Sequence, residues 1–254
     1  MNTTRLRDFP TCLKPYKRQL YPSLKDFCLL QFNPPFLQNL NQLGGTAYIE
    51  RYSQIPKDSA GKTMQLLAQI DFSTFQLDAP FPQEGLLQIF VNADFGKMNT
   101  PIEHEQFQIK YTQYIDHSIK SEALEIVESN ITLPVYFSPT IHCEYISAFD
   151  YRLSQYVSKL DLFIEDEART FLEIYSDYML GADHKIGGYP YFLENDFRSG
   201  RPDLQIYDTL LFQLVSDDTI GFNYRDCGIV SFFMNSEQLA NKDFSNIYMH
   251  VETY

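Results

Sequence analysis

The chain has 254 residues, is 44% hydrophobic and 15% aromatic, and carries a formal net charge of −13 with a pI near 4.7. That length suits one large domain or two intimately packed halves, and the 21 Phe and 18 Tyr exclude a disordered chain and lean the composition toward strands. The acidic balance excludes a general nucleic-acid binder and a polybasic membrane-surface protein; it suits plain solubility or attraction to a basic protein partner.

Residues 5–20 are basic and interrupted by Pro10 and Pro15, and a helix is expected to begin near Pro15. Phe27, Leu29, Leu30 and Phe32 suggest a strand closed by Asn33-Pro34-Pro35. Gly44-Gly45 then reads as a turn leading into a strand toward Tyr52, followed by the polar loop 55–62. Met64–Phe72 and Leu86–Asn92 read as buried strands, with a turn at 81–85 between them. Phe107, Ile109 and Tyr111 alternate with polar residues, the period of a half-buried strand. Strands are expected at 131–137 and 141–149, and helix over 150–180 with Gly181 as its C-cap. His184–Arg198 (HKIGGYPYFLENDFR) is the densest run of structural punctuation: Gly187-Gly188 and Pro190 set a turn, and Tyr191–Leu193 reads as a strand. Strands at 210–215 and 228–235, and an alternating strand at 247–251, complete the chain.

The second half repeats the order of the first. Gly44 and Gly187 stand 143 residues apart, Leu66 and Leu210 stand 144 apart, and Gly85 and Gly228 stand 143 apart. Three matches at nearly one offset imply an internal duplication. Strands this closely spaced, with few helices between, imply antiparallel pairing. The expected fold is therefore α+β: predominantly antiparallel sheets from an internal duplication, with helices at the N-terminus and between the repeats. The expectation is a single domain over 1–254, with repeat one about 44–115, repeat two about 187–254, and a strand-and-helix segment 131–180 joining them.

Four cysteines, Cys12, Cys28, Cys143 and Cys227, form no C-x-x-C pattern. The N-terminal residues lack the apolar core of a signal peptide, and no apolar run approaches the roughly 20 residues that span a bilayer. A cytoplasmic protein with reduced thiols is expected, and the sequons at Asn2 and Asn130 then carry no meaning.

HKIGGYPYF, the 210–215 strand with its central Gln213, Arg225-Asp226-Cys227-Gly228 before Phe232-Phe233, and the terminal Lys242-Asp243-Phe244-Ser245 resemble the YwqG-like family, found largely in bacteria. The resemblance covers most of the chain. It implies a duplicated α+β fold in the cytoplasm with no established activity, and an association with toxin systems that would suit an immunity-like role. Family members usually carry Trp-Gly-Asp before the matching glycine strand; Tyr224-Arg225-Asp226-Cys227-Gly228 stands there in this chain, which has no Trp.

No motif carries chemistry. Asp58–Thr63 ends like a phosphate-binding loop, but Pro56 occupies the place of its first glycine and a strand follows where a helix is needed. The histidines at 104, 117, 142, 184 and 250 show no i, i+4 pair, and adjacent His142 and Cys143 point to opposite faces of a strand. A Cys227 nucleophile with His184 or His250 as base has only tertiary contact to bring it together. No catalytic residue, metal or cofactor is therefore assigned. The candidate binding cleft is His184, Glu194, Arg198, Arg225 and Asp226, with an Arg198–Asp226 or Arg225–Glu194 pair holding two loops together. Gly44, Gly45, Gly187, Gly188, Pro190 and Gly228 are structural turns. The leading functional expectation is a protein-binding module, immunity-like, toward a basic partner; the alternative is a small-ligand protein or enzyme with a cleft between the repeats, and the oligomeric state is open.

Overall fold

Ten strands form one antiparallel sheet in the computed structural model, which describes residues 9–32, 40–50, 53–97, 106–115 and 134–253. A short 3-10 turn, Thr11–Tyr16, runs into α1 (Lys17–Leu20). The first strands are β1 (Lys25–Phe32), β2 (Gln42–Leu43), β3 (Gln65–Asp71), β4 (Leu86–Val91), β5 (Phe107–Thr112) and β6 (Val135–Glu144). Then come α2 (Leu153–Tyr156), a two-stranded ribbon of β7 (Phe163–Ile164) and β8 (Arg169–Thr170), and α3 (Phe171–Tyr178). The chain closes with β9 (Lys185–Gly187), β10 (Thr209–Val215), β11 (Ile229–Met234), α4 (Ser236–Ala240) and β12 (Ile247–Glu252).

The sheet order is β12-β11-β10-β9-β1-β6-β2-β3-β4-β5. β1 and β6 pair antiparallel at its centre, from Lys25 opposite Glu144 to Phe32 opposite Phe137. One flank, β2 to β5, continues from β6; the other, β9 to β12, continues from β1. The flanking strands β3, β4, β10 and β11 are apolar runs buried on both faces. One face of both flanks joins in a single core that includes Leu67, Ile89, Leu211 and Phe232. The sheet curls around that core, so Phe107 on edge strand β5 meets Phe232 at 5.2 Å between ring centroids. The outer faces carry smaller clusters, Leu66 and Phe90 with Ala47 on one flank, Leu210 and Phe233 with Phe192 on the other. A further cluster joins α2 and α3 to the N-terminal turn through Leu13, Leu20, Leu153 and Phe171.

The flanks share a register shift and a buried glutamine. The register shifts between Leu66 and Ala68 in β3, and between Leu210 and Phe212 in β10. A buried glutamine follows each shift. Gln69 Oε1 accepts from the Tyr48 amide at 2.8 Å and Gln213 Oε1 from the Tyr191 amide at 2.8 Å. Gln69 Nε2 donates to Leu40 O, and Gln213 Nε2 donates to Gly181 O and Asp183 O. The glutamines thus hold segments 46–50 and 189–193 by side-chain bonds, where strands were expected. Those segments fail as strands because their amides face a side chain instead of a ladder.

Two further corrections concern the middle of the chain. The expected strands 131–137 and 141–149 are one strand, β6, with Pro139 inside it and 131–133 outside the described residues. The expected helix 150–180 is α2, the β7–β8 ribbon and α3. Ala168 in the left-handed region (φ 51°) turns the ribbon, and a Thr170–Glu173 capping box starts α3 anew. The acids Asp161, Glu165 and Glu167 therefore lie at the ribbon, within the segment expected as helix. The Asn33-Pro34-Pro35 turn, Tyr52, His104, His117, Asn2 and Asn130 fall outside the described residues.

Candidate functional site

A concavity lies where five stretches of chain converge. It has a volume of about 260 Å³, and Lys25 and Asp26 at the start of β1, Asp78 and Phe81 in the loop after β3, Cys143 near the end of β6, Gly188 beyond β9 and Thr209 at the start of β10 all line it. The loop crosses from its own flank to the other one: Phe81 and Leu77 pack directly against Gly187. A reciprocal crossing occurs elsewhere, where the Arg225 amide donates to Gly96 O at 3.0 Å and the Tyr224 and Phe95 rings lie 5.1 Å apart. A shallow, open depression of about 470 Å³ lies there, lined by Gly96, Lys97, Asn223, Arg225 and Asp226.

Two buried ionic groups flank the 260 Å³ cleft. Lys185 Nζ donates to both oxygens of Glu144, at 2.8 and 3.0 Å, and the Tyr189 amide donates to Glu144 Oε1 at 2.7 Å. Burial pushes the Glu144 carboxyl up, opposed by the Lys185 ammonium and the Tyr189 amide. Gly188 is required beside it: a side chain there would strike Glu144 Oε1 and the Phe27 Cβ, and the residue's φ of 69° is unfavourable for any other type. The second group is Arg152–Asp150–Arg198–Asp196. Arg152 forks onto Asp150 at 2.8 and 2.6 Å, Arg198 forks onto Asp196 at 2.9 and 2.7 Å, and Arg198 reaches Asp150 at 3.3 Å. Burial raises the Asp150 pKa, but hydrogen bonding and charge from Arg152, with the charge of Arg198, outweigh it and leave the group below the usual carboxylate range. The thiol of Cys143 is pushed up to about 11 by burial, with Asp26 beside it adding to the rise.

The five residues singled out in the sequence fall in separate places. Arg198 is fully buried and bound to Asp196 and Asp150, so the expected Arg198–Asp226 pair is replaced by carboxylates that sequence reasoning missed. Glu194 is exposed on the loop after Pro190. Arg225 and Asp226 line the open depression, both in the left-handed region at φ 47° and 77°. His184 is a pin between strands: its Nδ1 accepts from the Val215 amide at 3.4 Å and its Nε2 meets Asp217 Oδ2 at 3.3 Å. Burial pushes the imidazole down, against the pull of Asp217, which keeps it neutral. Of the turn residues, Gly44, Gly45, Gly187 and Gly188 all have positive φ. Gly228 is there for space, because a side chain would strike the Tyr224 carbonyl.

The remaining motifs resolve into local structure. Asp58 Oδ1 accepts from the Ala60 and Lys62 amides, and β3 follows, so the loop that ends like a phosphate loop is a closed turn before a strand. His250 Nε2 meets Glu252 Oε1 at 3.0 Å. Among the described residues no group of three or more His, Cys, Asp or Glu is placed to hold a metal ion. No helix among them is long and apolar enough to cross a membrane.

One protein-family model, described as a domain of unknown function (DUF1963), matches residues 41–252. The chain belongs to this family. No curated protein matches the chain. The span assigned to DUF1963 opens at Asn41 and closes in β12, so it takes in both flanks and leaves out β1, which fills the sheet centre and supplies Lys25 and Asp26 to the cleft. The Glu144–Lys185 and Arg198–Asp196–Asp150 groups lie inside the DUF1963 span. Asp196, two residues before Arg198, was within reach of local sequence reasoning; Glu144 and Asp150, 41 and 48 residues upstream of Lys185 and Arg198, gave no signal.

Proposed function

We propose that this protein is a binding protein that takes a small polar ligand in the cleft between the two flanks of its sheet. The observation that carries this reading is convergence: five stretches distant in sequence, two central strands, one segment from the first flank and two from the second, line a 260 Å³ space with charged, thiol and aromatic groups in its wall. The test is an amide-resolved NMR titration of a small-molecule library. Saturable shifts at Gly188, Cys143 and Lys25 are expected, and Asp78→Trp, a substitution at an exposed wall position, abolishes them. A library that moves none of these amides, or a ligand that binds the Trp variant equally well, refutes the reading.

The two flanks are, on this proposal, the products of an internal duplication within one domain, as the matched register shifts and glutamine bonds support. The YwqG-like resemblance and a cytoplasmic setting belong to the same reading, supported by four cysteines that are all free thiols. A second reading is an immunity-like role, with a basic protein as partner. Leu162 and Phe163 stand exposed at the β7–β8 ribbon beside the exposed acids Asp161, Glu165 and Glu167, the combination that suits such a contact. A Phe163→Ala variant that retains every partner recovered by pull-down at low and moderate salt argues against it.

A further inference from the structure

Lys25 is set apart from the other partly or fully buried lysines among the described residues by what it lacks. Lys110, Lys185 and Lys242 each lie within 3.5 Å of a carboxylate oxygen. Among the described residues no carboxylate comes within ion-pair distance of Lys25. The carboxylates around it are already committed. Glu144, its partner across the strands, is taken by Lys185 and the Tyr189 amide. Asp150 is taken by Arg152 and Arg198. Asp208 accepts from the Ser236 amide and hydroxyl and from Thr209 Oγ1. The Lys25 ammonium instead lies 5.0 Å from the centre of the Tyr189 ring, which also carries the Arg152 guanidinium at 5.6 Å.

We infer that Lys25 is a nucleophilic amine that captures a small aldehyde or ketone in the cleft as an imine. This rests on the cleft being a ligand site, as proposed above, and names the chemical class of the ligand. Three features of the site agree with it. An amine without a carboxylate partner, crowded by a second cation on one ring, is biased toward its neutral form; burial pushes Lys25 down, Arg152 and Arg198 add to this, and Asp150 and Asp208 oppose it. The cleft wall holds Asp78, a group able to carry protons during addition and water loss, and together with Asp26 it disfavours a purely anionic ligand. A space of 260 Å³ fits a carbonyl compound of a few carbon atoms.

The step balances without an oxidant or reductant. The Lys25 lone pair forms a bond to the carbonyl carbon, and the carbonyl oxygen takes up a proton while the nitrogen loses one. The resulting carbinolamine expels its hydroxyl as water, with a second proton, as the carbon–nitrogen double bond forms. Aldehyde plus amine gives imine plus water.

The test uses the full chain and propanal as the probe, with cyanoborohydride added to fix any imine and peptide mass mapping to locate it. At neutral pH, Lys25 is expected to be alkylated at least tenfold faster than the exposed Lys57 and Lys159 on the same molecule. Propionamide, which matches propanal in size but cannot form an imine, should slow the labelling of Lys25 alone. Equal rates at Lys25 and Lys159 overturn the inference, and this comparison within one wild-type sample does not depend on any variant folding. The cleft reading fails separately: a library that shifts no Gly188 or Cys143 amide removes the site, whereas saturable shifts in a Lys25→Met variant, with wild-type Lys25 labelled no faster than Lys159, keep the site and remove the imine.

Discussion

His184 has a counterpart that explains it. Asn41 stands 143 residues earlier; its Oδ1 accepts from the Asp71 amide at 2.7 Å and its Nδ2 donates to Thr74 Oγ1 at 2.9 Å. A neutral imidazole with its proton on Nε2 offers the same pair, an acceptor toward the Val215 amide and a donor toward Asp217. The side chain therefore reproduces an amide, and it does so only while uncharged. Replacement by the amide itself, His184→Asn, should leave stability at pH 8 within about 1 kcal/mol of the parent by denaturant titration. The pH dependence is the sharper readout. The folded-state pKa lies below the ordinary 6.5, so the unfolded chain binds the proton first. The imidazole's contribution is complete above pH 6.5 and is lost as pH falls from there through the lowered folded value. The difference in midpoint between parent and variant should thus shift in the variant's favour between pH 7 and 5, and a difference that stays flat contradicts the neutral-pin account. The sequence did not pair His184 with Asn41, and the partners Val215 and Asp217, 31 and 33 residues on, were not legible either.

Strand identities were largely legible because they rest on local periodicity. The runs at β3, β4, β10 and β11 are mainly apolar, and β5 and β12 alternate, so burial on two faces or one could be read directly. Segments 46–50 and 189–193 were not, since extended apolar residues look alike whether their amides meet a ladder or a glutamine side chain. Buried charge was equally hidden, because Lys185 sits in a sequence that gives no hint of Glu144. Lys185→Met should cost about 3–5 kcal/mol, leaving an uncompensated carboxylate in the interior. The double change Lys185→Met with Glu144→Leu should recover most of that, as removing both charges removes the penalty. Chemical denaturation of the three proteins checks this, and a single variant as stable as the parent refutes it. Gly188→Ala should lower stability by at least about 2 kcal/mol, combining a left-handed backbone with a collision at Glu144 Oε1.

At the scale of the molecule, the two flanks share one core and each sends a loop across to the other. Neither flank can keep its inner face dry alone, so thermal unfolding should be one cooperative transition. Calorimetric and van't Hoff enthalpies are expected to agree, and two resolved transitions would show independent flanks. Most of the apolar surface that drives folding lies inside this shared core, which explains why the offset pattern in the sequence spoke of architecture and said little of chemistry. The residues that make the cleft come from its seams, where no periodicity operates.

The central position of β1 has a consequence for synthesis. This strand leaves the ribosome early, yet its neighbours are β6 and β9, and Phe27 lies opposite His142 and Gly187. While residues 42–112 emerge, the first flank has partners within itself, and β1 has none. One edge stays open until the chain has grown past Glu144 and the other until it has passed Gly187, and closing them demands contacts across about 110 to 160 residues, the slow class of folding event. A nascent or truncated chain ending before Lys185 carries β1 with one bare edge, the element most prone to pair with a second chain. Translation speed and chaperone access over that interval, more than equilibrium stability, then govern how much of the protein reaches its native state.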